Sequence, residues 1–355
     1  MPGDAARLLL AASRERFTVA AADLLLPERS RLTEWQRHTA ASLLSRLIRS
    51  IEDALRASLA SRFAEHQGLH AALSSAELAI ALPLLERAQV LRDADLGTAL
   101  VRRVEEHRYW RENGADRPRD LLATLIQDED EGVASEAMTM LIARSRRFDR
   151  HQEPLIGHTD LPAELQHRLV WMVAAAIRQY VVQQHDVPVG AVDVAISAIA
   201  ESMIAAYDEG ATLEASASRL ARRLRTAGRL SDSALAAMLE EGLLPLFIAG
   251  LGARCALDAS AVWEILSDPL GKGPALLLRA AGVERPHAAA ILLTLNSRGR
   301  LFSGSDGDAA AAQLDIYDAT AFEAALEVLH LWQADPGYRA AIARLSIRRT
   351  IPEAA

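Results

Sequence analysis

The sequence predicts an all-α protein built from stacked helical hairpins. Half of the 355 residues are hydrophobic and 5% are aromatic. Alanine and leucine dominate while β-branched residues are sparse, and this composition favours helix over strand. Apolar residues recur at spacings of three and four along most of the chain, which is the period of an amphipathic helix. Glycine and proline fall mostly at the ends of these stretches, where they terminate helices.

The N-terminal part, residues 1–158, is predicted to form a HEAT-like α-solenoid. Three apolar stripes share one spacing, and their first residues lie 41 and 37 positions apart, near the roughly 40-residue period of HEAT-type helix pairs. One amphipathic pair cannot bury its own apolar face, so neighbouring pairs must stack. The stripes are Leu55-Leu59-Phe63, Leu96-Leu100-Val104 and Val133-Ala137-Leu141.

Capping residues predict where the helices of this part begin. The acidic run 128–130 suits the N-terminus of a helix, because carboxylates accept hydrogen bonds from its first N–H groups and oppose its dipole. Ser75 is a second expected N-cap, and Pro118 suits a first helical position. The expected helices cover 34–65 and about 75–87, and others begin near 93, 118 and 131.

Residues 159–229 are predicted to be a central segment of long helices. The Val187-Pro188 step separates two of them and Gly228 ends a third, since proline and glycine interrupt helices. Their expected ranges are about 162–184, 189–208 and 213–227.

Residues 230–355 are predicted to hold tandem short helix pairs. Three ten-residue segments align at offsets of 27 and 26 residues, and each places a polar residue or proline before a short apolar helix. The segments are 230–239, 257–266 and 283–292. Residues 299–318 contain several glycines and aspartates, so we expect a mobile loop there, followed by closing helices over 319–334 and 336–345.

Charge and cysteine content limit the classes of function. The formal net charge is −8, so the chain lacks the basic field of a non-specific nucleic-acid binder. Its single cysteine, Cys255, excludes an intrachain disulfide and a zinc site made of several cysteines. The apolar runs are shorter than the roughly 20 residues that a bilayer requires. We expect a cytoplasmic protein without membrane insertion.

Short motifs that resemble catalytic or metal sites do not meet the requirements of those sites. His66 and His70 have metal-ligand spacing but lack the glutamate of a metalloprotease helix. The acidic run 128–132 lacks the EF-hand positions of glycine and glutamate. In Gly271-Lys272-Gly273 the lysine is followed by Gly273 and Pro274 rather than by serine or threonine, so the motif is not a P-loop. We therefore expect no catalytic residue, no metal ligand and no cofactor.

Two features could form a binding surface, and each has a simpler structural interpretation. Tyr109 and Trp110 could be an exposed aromatic anchor for a partner, or they could pack in the core. The arginines on or near the helix over 213–227 could bind phosphate, or they could be a solvated face or pair with acidic residues. The candidate binding residues are Tyr109, Trp110, Arg219, Arg222 and Arg223. A second basic cluster, Arg144, Arg146, Arg147 and Arg150, is open to the same alternatives.

Two segments of the N-terminal part are similar to a known family. Residues 50–63 and 80–96 resemble an all-helical alphaproteobacterial family called domain of unknown function 2336, and residues 230–298 resemble its C-terminal half. The resemblance implies a helical, HEAT-like fold over most of the chain and an alphaproteobacterial cytoplasm. It implies no activity and no catalytic residues.

The sequence therefore favours a cytoplasmic interaction or regulatory scaffold, rather than an enzyme, that binds another protein through a helical-repeat surface. One alternative is an enzyme whose helical active site is assembled from distant residues, which a deep pocket with perturbed pKa values would favour. The other is arginine-mediated nucleic-acid binding. The oligomeric state stays open.

Overall fold

The computed structural model describes residues 31–113, 121–268, 271–297, 307–335, 337–339, 341–342 and 345. These residues form α-helices joined by turns and short 3-10 segments, and they contain no β-strand beyond one isolated bridge between Phe148 and Pro154. The predicted all-α class is therefore confirmed for this part of the chain.

The helices occur in the following order. They are α1 (Glu34–Arg62), α2 (Gln67–Ser74), α3 (Ala81–Arg87), α4 (Ala94–Asn113), α5 (Leu121–Ile126), α6 (Glu131–Ser145), α7 (Ala163–Gln184), α8 (Val189–Ala205), α9 (Leu213–Thr226), α10 (Asp232–Glu240), α11 (Leu244–Cys255), α12 (Ala259–Leu266), α13 (Gly273–Ala280), α14 (Arg285–Ser297), α15 (Gly307–Ala319) and α16 (Phe322–His330).

The apolar side chains form two separate buried clusters. The first, which we call the N-terminal core, is organised around α1, which packs against α2, α3, α4, α7 and α8. Leu47, Ile48 and Ile51 of α1 are fully buried in it. The second, the C-terminal core, contains side chains from α5, α6 and α9–α16. Phe247 and Leu251 of α11 are fully buried in this second cluster.

The chain passes between the two cores more than once. After α4 it enters the C-terminal core with α5 and α6, returns to the N-terminal core with α7 and α8, and then enters the C-terminal core again at α9. We call residues 146–162 the first crossover segment and residues 206–212 the second. The two cores do not coincide with the three segments 1–158, 159–229 and 230–355, and a division into those domains stays a prediction.

Helix α4 contributes to both cores. Leu96, Leu100 and Val104 are buried in the N-terminal core, whereas Tyr109 is buried in the C-terminal core. The intervening side chains are therefore held where the two cores face each other.

Arginines in the last turns of α9, α11 and α13 link alternate helices of the C-terminal core. Each donates to a backbone carbonyl near the end of the next helix but one, and such carbonyls lack intrahelical donors. The pairs are Arg225 with Ala253, Arg254 with Ala281 and Arg279 with Thr320.

Glycine is required where α12 turns into α13. Gly271 has φ +72°, and a Cβ on Gly273 would lie 1.9 Å from the carbonyl oxygen of Ile265. The Gly-Lys-Gly sequence therefore serves a tight helix connection.

Two expected elements differ from the structure. Residues 75–80 are not helical, so only the second part of the helix predicted over 75–87 forms, as α3, and Ser75 is the C-cap of α2 rather than an N-cap. Residues 307–319 form α15 instead of part of a mobile loop, because Tyr317 is buried and donates to the carbonyl of Val283. The predicted start at Pro118 and the residues 299–306 lie outside the described part of the chain.

Within the residues that the structure describes, no single helix has both the length and the apolar composition needed to cross a bilayer. One pair, α11 with α12, meets the criterion jointly, but its two helices are bent by 103°.

Candidate functional site

A cavity of about 260 Å³ lies between the two cores. It is bounded by α4, by both crossover segments, by the start of α9, and by α11 and α12. Its lining combines apolar, polar and charged side chains. The apolar lining residues are Ala99, Ile156, Leu161, Pro162, Pro245, Ile248, Ala259 and Trp263. Binding sites are common at such junctions between packed units.

Arg147 is the centre of a buried charge network beside this cavity. Its Nη2 donates to both carboxylate oxygens of Glu214, at 3.0 and 2.7 Å. Its Nε lies 3.2 Å from Oδ1 of Asp160, and its Nη1 lies 3.8 Å from Oε2 of Glu106. Glu106 is on α4, Asp160 ends the 3-10 turn of the first crossover segment, and Glu214 lies in the first turn of α9. The Arg147 guanidinium therefore connects three elements.

Arg103 extends the network on α4. Its Nη1 lies 3.3 Å from Oε2 of Glu106. Its Nε donates to the carbonyl of Leu155 at 2.9 Å, and its Nη2 donates to the carbonyl of Arg147. The first crossover segment is thus attached to α4 through backbone as well as side-chain groups.

Burial and neighbouring charges shift several pKa values around the cavity. Burial lowers the pKa of Arg103 despite the nearby Glu106. Burial also opposes the charged form of Arg147, but Glu214, Glu106 and Asp160 outweigh it and raise the pKa of that guanidinium. The pKa of Tyr207 is raised to about 12, first by burial and then by Glu209, Glu214, Asp208 and Asp160.

Arg102 and Trp263 separate the cavity from a second groove. This groove has a volume of about 490 Å³ and lies between α4 and α12, lined by both residues. The Arg102 guanidinium lies 5.8 Å from the centre of the Trp263 ring and donates to Oγ of Ser260 at 3.2 Å. Burial lowers the pKa of Arg102, while Glu264, Glu214 and Asp258 raise it.

His107 lies one turn along α4 from Arg103, in an aromatic cluster. Its ring is fully buried, 5.8 Å from Trp110 and 5.9 Å from Phe148 between ring centres. Neither ring nitrogen has a hydrogen-bond partner among the described residues. Burial, followed by Arg103 and Arg111, lowers the pKa of His107 to about 4, so the ring is neutral at pH 7.

We expect His107 to make the fold sensitive to acid. Its pKa is about 4 in the folded chain and about 6.5 in the unfolded chain, so below pH 6.5 the unfolded state binds the proton first. The resulting stabilisation is complete above pH 6.5 and is lost as the pH falls towards 4. The loss at pH 5 is about 2 kcal/mol. Urea unfolding of the wild type and of His107→Leu at pH 7 and pH 5 measures it.

The His107→Leu variant should lose about 2 kcal/mol less than the wild type between these two pH values. The matched control is His38→Leu, because His38 is exposed on α1. An equal pH dependence for His107→Leu and the wild type would contradict the assignment.

The structure does not bring the five predicted binding residues together at one surface. Tyr109 is buried in the C-terminal core, so its side chain is not an exposed anchor. Trp110 is half-buried, 4.5 Å from the Phe148 ring. Arg219 and Arg223 pair with Glu136 and Asp130 of the α6 region, whereas Arg222 is exposed and donates to the carbonyl of Ser218.

One group of side chains has the composition of a metal site. Ligand atoms of Asp232, Glu284 and His287 all lie within 4.8 Å of one another. The oxygens of Asp232 already accept hydrogen bonds, from Nη1 of Arg254 at 2.5 Å and from the backbone N–H of Glu284 at 2.7 Å. The group therefore serves as a junction between α10 and α14. Cys255 is free and buried, and burial raises the pKa of its thiol to about 12.

A comparison with protein families matches more than half of the chain to one family. The family of uncharacterised proteins conserved in bacteria, DUF2336, matches residues 115–330. The chain belongs to the DUF2336 family. No curated protein and no solved structure matches the chain.

The DUF2336 match covers only part of the cavity. Arg147, Asp160 and Glu214 lie inside the matched residues, whereas Arg103 and Glu106 on α4 precede them. Of the segments that resemble the family, 230–298 lies inside the match, and 50–63 and 80–96 lie before it. The cavity is thus formed jointly by the DUF2336 region and the helix before it.

The sequence does not single out the residues that line the cavity as a site. It places Arg147 in a basic cluster with three neighbouring arginines, whereas the acidic partners of Arg147 lie at positions 106, 160 and 214. One local signal is present. Arg103, Glu106 and His107 lie within or just after the apolar stripe of α4 at helical spacing, which places charged side chains on or beside a buried face.

Proposed function

We propose that this protein is an interaction or regulatory scaffold that binds a protein partner along the cleft between its two cores. The supporting observation is that the cavity and the neighbouring groove share Arg102 and Trp263 as lining residues. Together they form an extended cleft with apolar and charged parts. Such a shape suits a segment of polypeptide that places one side chain in the cavity and others in the groove.

The arginines and Tyr207 of the cavity are unsuited to general acid–base catalysis at pH 7. General acid–base catalysis requires a group that exchanges a proton near the working pH. Arginine stays protonated in proteins, and Tyr207, with a pKa of about 12, stays a neutral phenol at pH 7. Arg147 holds the carboxylates of Glu106, Asp160 and Glu214. The protein is therefore proposed to be a binding protein that uses no cofactor.

The proposal includes a cytoplasmic location, an alphaproteobacterial source and a HEAT-like stacking of the helices. The resemblance to the family supports the source and the location, and the periodicity of the apolar stripes supports the stacking. The free, buried Cys255 suits a reducing compartment, and the arginine links between α9, α11, α13 and the end of α15 are compatible with stacked helices. The arginines of α9 are proposed to contact acidic residues of this chain, and nucleic acid is not the proposed partner.

Site-specific photo-crosslinking in living bacteria tests the partner. A benzophenone side chain is placed at Thr98 or at Ser267, which line the groove from α4 and from the end of α12. The control position is Val194 on α8, which is 72% exposed. We expect one discrete protein adduct from both groove positions and none of the same mass from the control.

A groove-filling variant makes the result specific. A Cβ on Gly97 meets no atom within 4 Å, and Gly97 lines the groove. Gly97→Phe should therefore abolish the adduct. Gly190→Phe on α8 is the matched control, because a Cβ there also meets no atom within 4 Å. An adduct that persists in Gly97→Phe, or that forms equally from position 194, would refute the scaffold proposal.

A further inference from the structure

The polar surface that the charge network presents to the cavity is acidic. The side chains of Arg103 and Arg147 are 1% and 3% exposed. The side chains of Glu106 and Asp160 are each 12% exposed, and that of Glu214 is 44% exposed. The carboxylates of the network are therefore more exposed than its two guanidinium groups.

The charges of the lining do not balance. The side chains of the lining that are charged at pH 7 are three arginines and four carboxylates: Arg102, Arg103, Arg147, Glu106, Asp160, Glu209 and Glu214. Glu209 is exposed at the edge of the cavity and forms no ion pair within the described residues. The raised pKa of Tyr207 reflects, after burial, the proximity of this carboxylate and of Glu214. The end of the cavity near Tyr207 thus has an unbalanced negative charge.

The cavity is also lined by apolar side chains. They include Ile156, Leu161, Pro162, Pro245 and Ile248, and such a surface is suited to an aliphatic stem. Arginine and lysine side chains combine an aliphatic stem with a charged tip, and they bury the stem along apolar surface. An anionic group would instead meet the excess of carboxylates.

We infer that the cavity receives one cationic side chain, an arginine or lysine, from the protein partner. Its stem packs against the apolar lining residues and its charged tip lies among Glu209, Glu214 and Asp160. This inference rests on the proposed scaffold function and specifies the chemistry of the partner. The neighbouring Arg102 shows that a guanidinium is accommodated in these surroundings, since it lies over Trp263 and near Glu214, Asp258 and Glu264.

Titration of the full chain with small probes tests the inference. The probes are Nα-acetyl-arginine amide, Nα-acetyl-lysine amide and the neutral isostere Nα-acetyl-citrulline amide. The readout is the indole N–H resonance of Trp263, which lines the cavity and is assigned with Trp263→Phe. We expect saturable shifts with both cationic probes and an affinity about tenfold lower for citrulline, because hydrogen bonds between charged groups are stronger.

The Glu209→Gln variant removes the unpaired carboxylate. We expect it to weaken binding of the arginine probe about fivefold, and circular dichroism confirms that the helices remain. The matched control is Glu201→Gln, an exposed residue on α8 outside the cavity, which should leave the affinity unchanged. The inference is overturned if citrulline binds as tightly as arginine, if Glu209→Gln has no effect, or if no probe shifts the Trp263 resonance.

The two proposals fail in different ways. If the partner adduct forms at positions 98 and 267 with equal yield in the wild type and in Glu209→Gln, while the probes show no preference for a cation, the scaffold function stands and the cationic side chain is refuted. If no adduct forms at either position although the cationic probes bind, the cavity is a cation site and the scaffold function is refuted.

Discussion

Replacing Arg147 with methionine is expected to lower the free energy of unfolding by about 3–5 kcal/mol, because breaking one side of a buried ion pair leaves uncompensated charge in the interior. The methionine would leave Glu106, Asp160 and Glu214 without their shared guanidinium. The three carboxylates come from α4, from the first crossover segment and from α9, so the loss should loosen the junction between the two cores.

Urea unfolding followed by tryptophan fluorescence measures this effect, with Trp171 packed against the N-terminal core and Trp263 buried in the C-terminal core. The chain has five tryptophans, so variants that retain only Trp171 or only Trp263 report on each core separately. The control is Arg222→Met, because Arg222 is exposed and donates only to the carbonyl of Ser218 at 3.2 Å. Such a surface change should stay within about 0.5 kcal/mol. A loss below about 1 kcal/mol for Arg147→Met would show that the network does not hold the cores together.

A double variant distinguishes the loss of the Arg147–Glu214 attraction from the cost of leaving the Glu214 carboxylate without its partner. Adding Glu214→Gln to Arg147→Met removes one of the stranded carboxylates, so the double variant should be more stable than the sum of the two single effects predicts. A strictly additive result would mean that Arg147 and Glu214 act independently, contrary to the bidentate hydrogen bonds between them.

Helix positions could be predicted because the signals that determine them are local. The structure begins α7, α8 and α9 within one residue of the expected starts at 162, 189 and 213. Asp130 accepts hydrogen bonds from the N–H groups of Gly132 and Val133, as expected of an N-cap. Caps and apolar periodicity involve residues within a few positions of one another, and a single sequence displays them directly.

The arrangement of the cores and the cavity depends on contacts between distant residues. No local sequence pattern predicts that α7 and α8 return to the N-terminal core while α6 and α9 pack in the C-terminal core. Charged side chains are also usually solvated, so residue type alone does not predict the burial of Arg147 and Glu106. They are buried together because the first crossover segment places Nη1 of Arg147 3.8 Å from Oε2 of Glu106 on α4.

The path of the segment between α2 and α3 also depends on contacts that its own sequence does not predict. Its composition predicts a helix over about 75–87, yet α3 begins only at Ala81. Arg56 of α1 donates to the carbonyls of Ala72, Leu73, Ser75 and Leu78, which draws the chain away from a helical path. Side chains on another helix thus override the local preference.

Replacing Arg56 with methionine is therefore expected to lower the free energy of unfolding by about 3–5 kcal/mol, as for Arg147. The Arg56 side chain is 4% exposed and pairs with Glu52 at 3.1 Å. The Glu52 carboxylate in turn accepts the backbone N–H groups of Ile80 and Ala81, each at 2.9 Å. The substitution would leave a buried carboxylate and several carbonyls without their donor, and unsatisfied buried groups are costly.

Hydrogen exchange and urea unfolding together separate the local effect from the global one. Amides of residues 72–81 should lose protection in Arg56→Met before those of α7, since the first group depends directly on the Arg56 and Glu52 contacts. The matched control is Arg49→Met, because Arg49 is exposed on the same helix. In the double variant Arg56→Met with Glu52→Leu, the loss should be smaller than the sum of the single losses, as each single change strands the other partner. Unchanged protection of residues 72–81 in Arg56→Met would mean that these hydrogen bonds do not determine the path of the chain between α2 and α3.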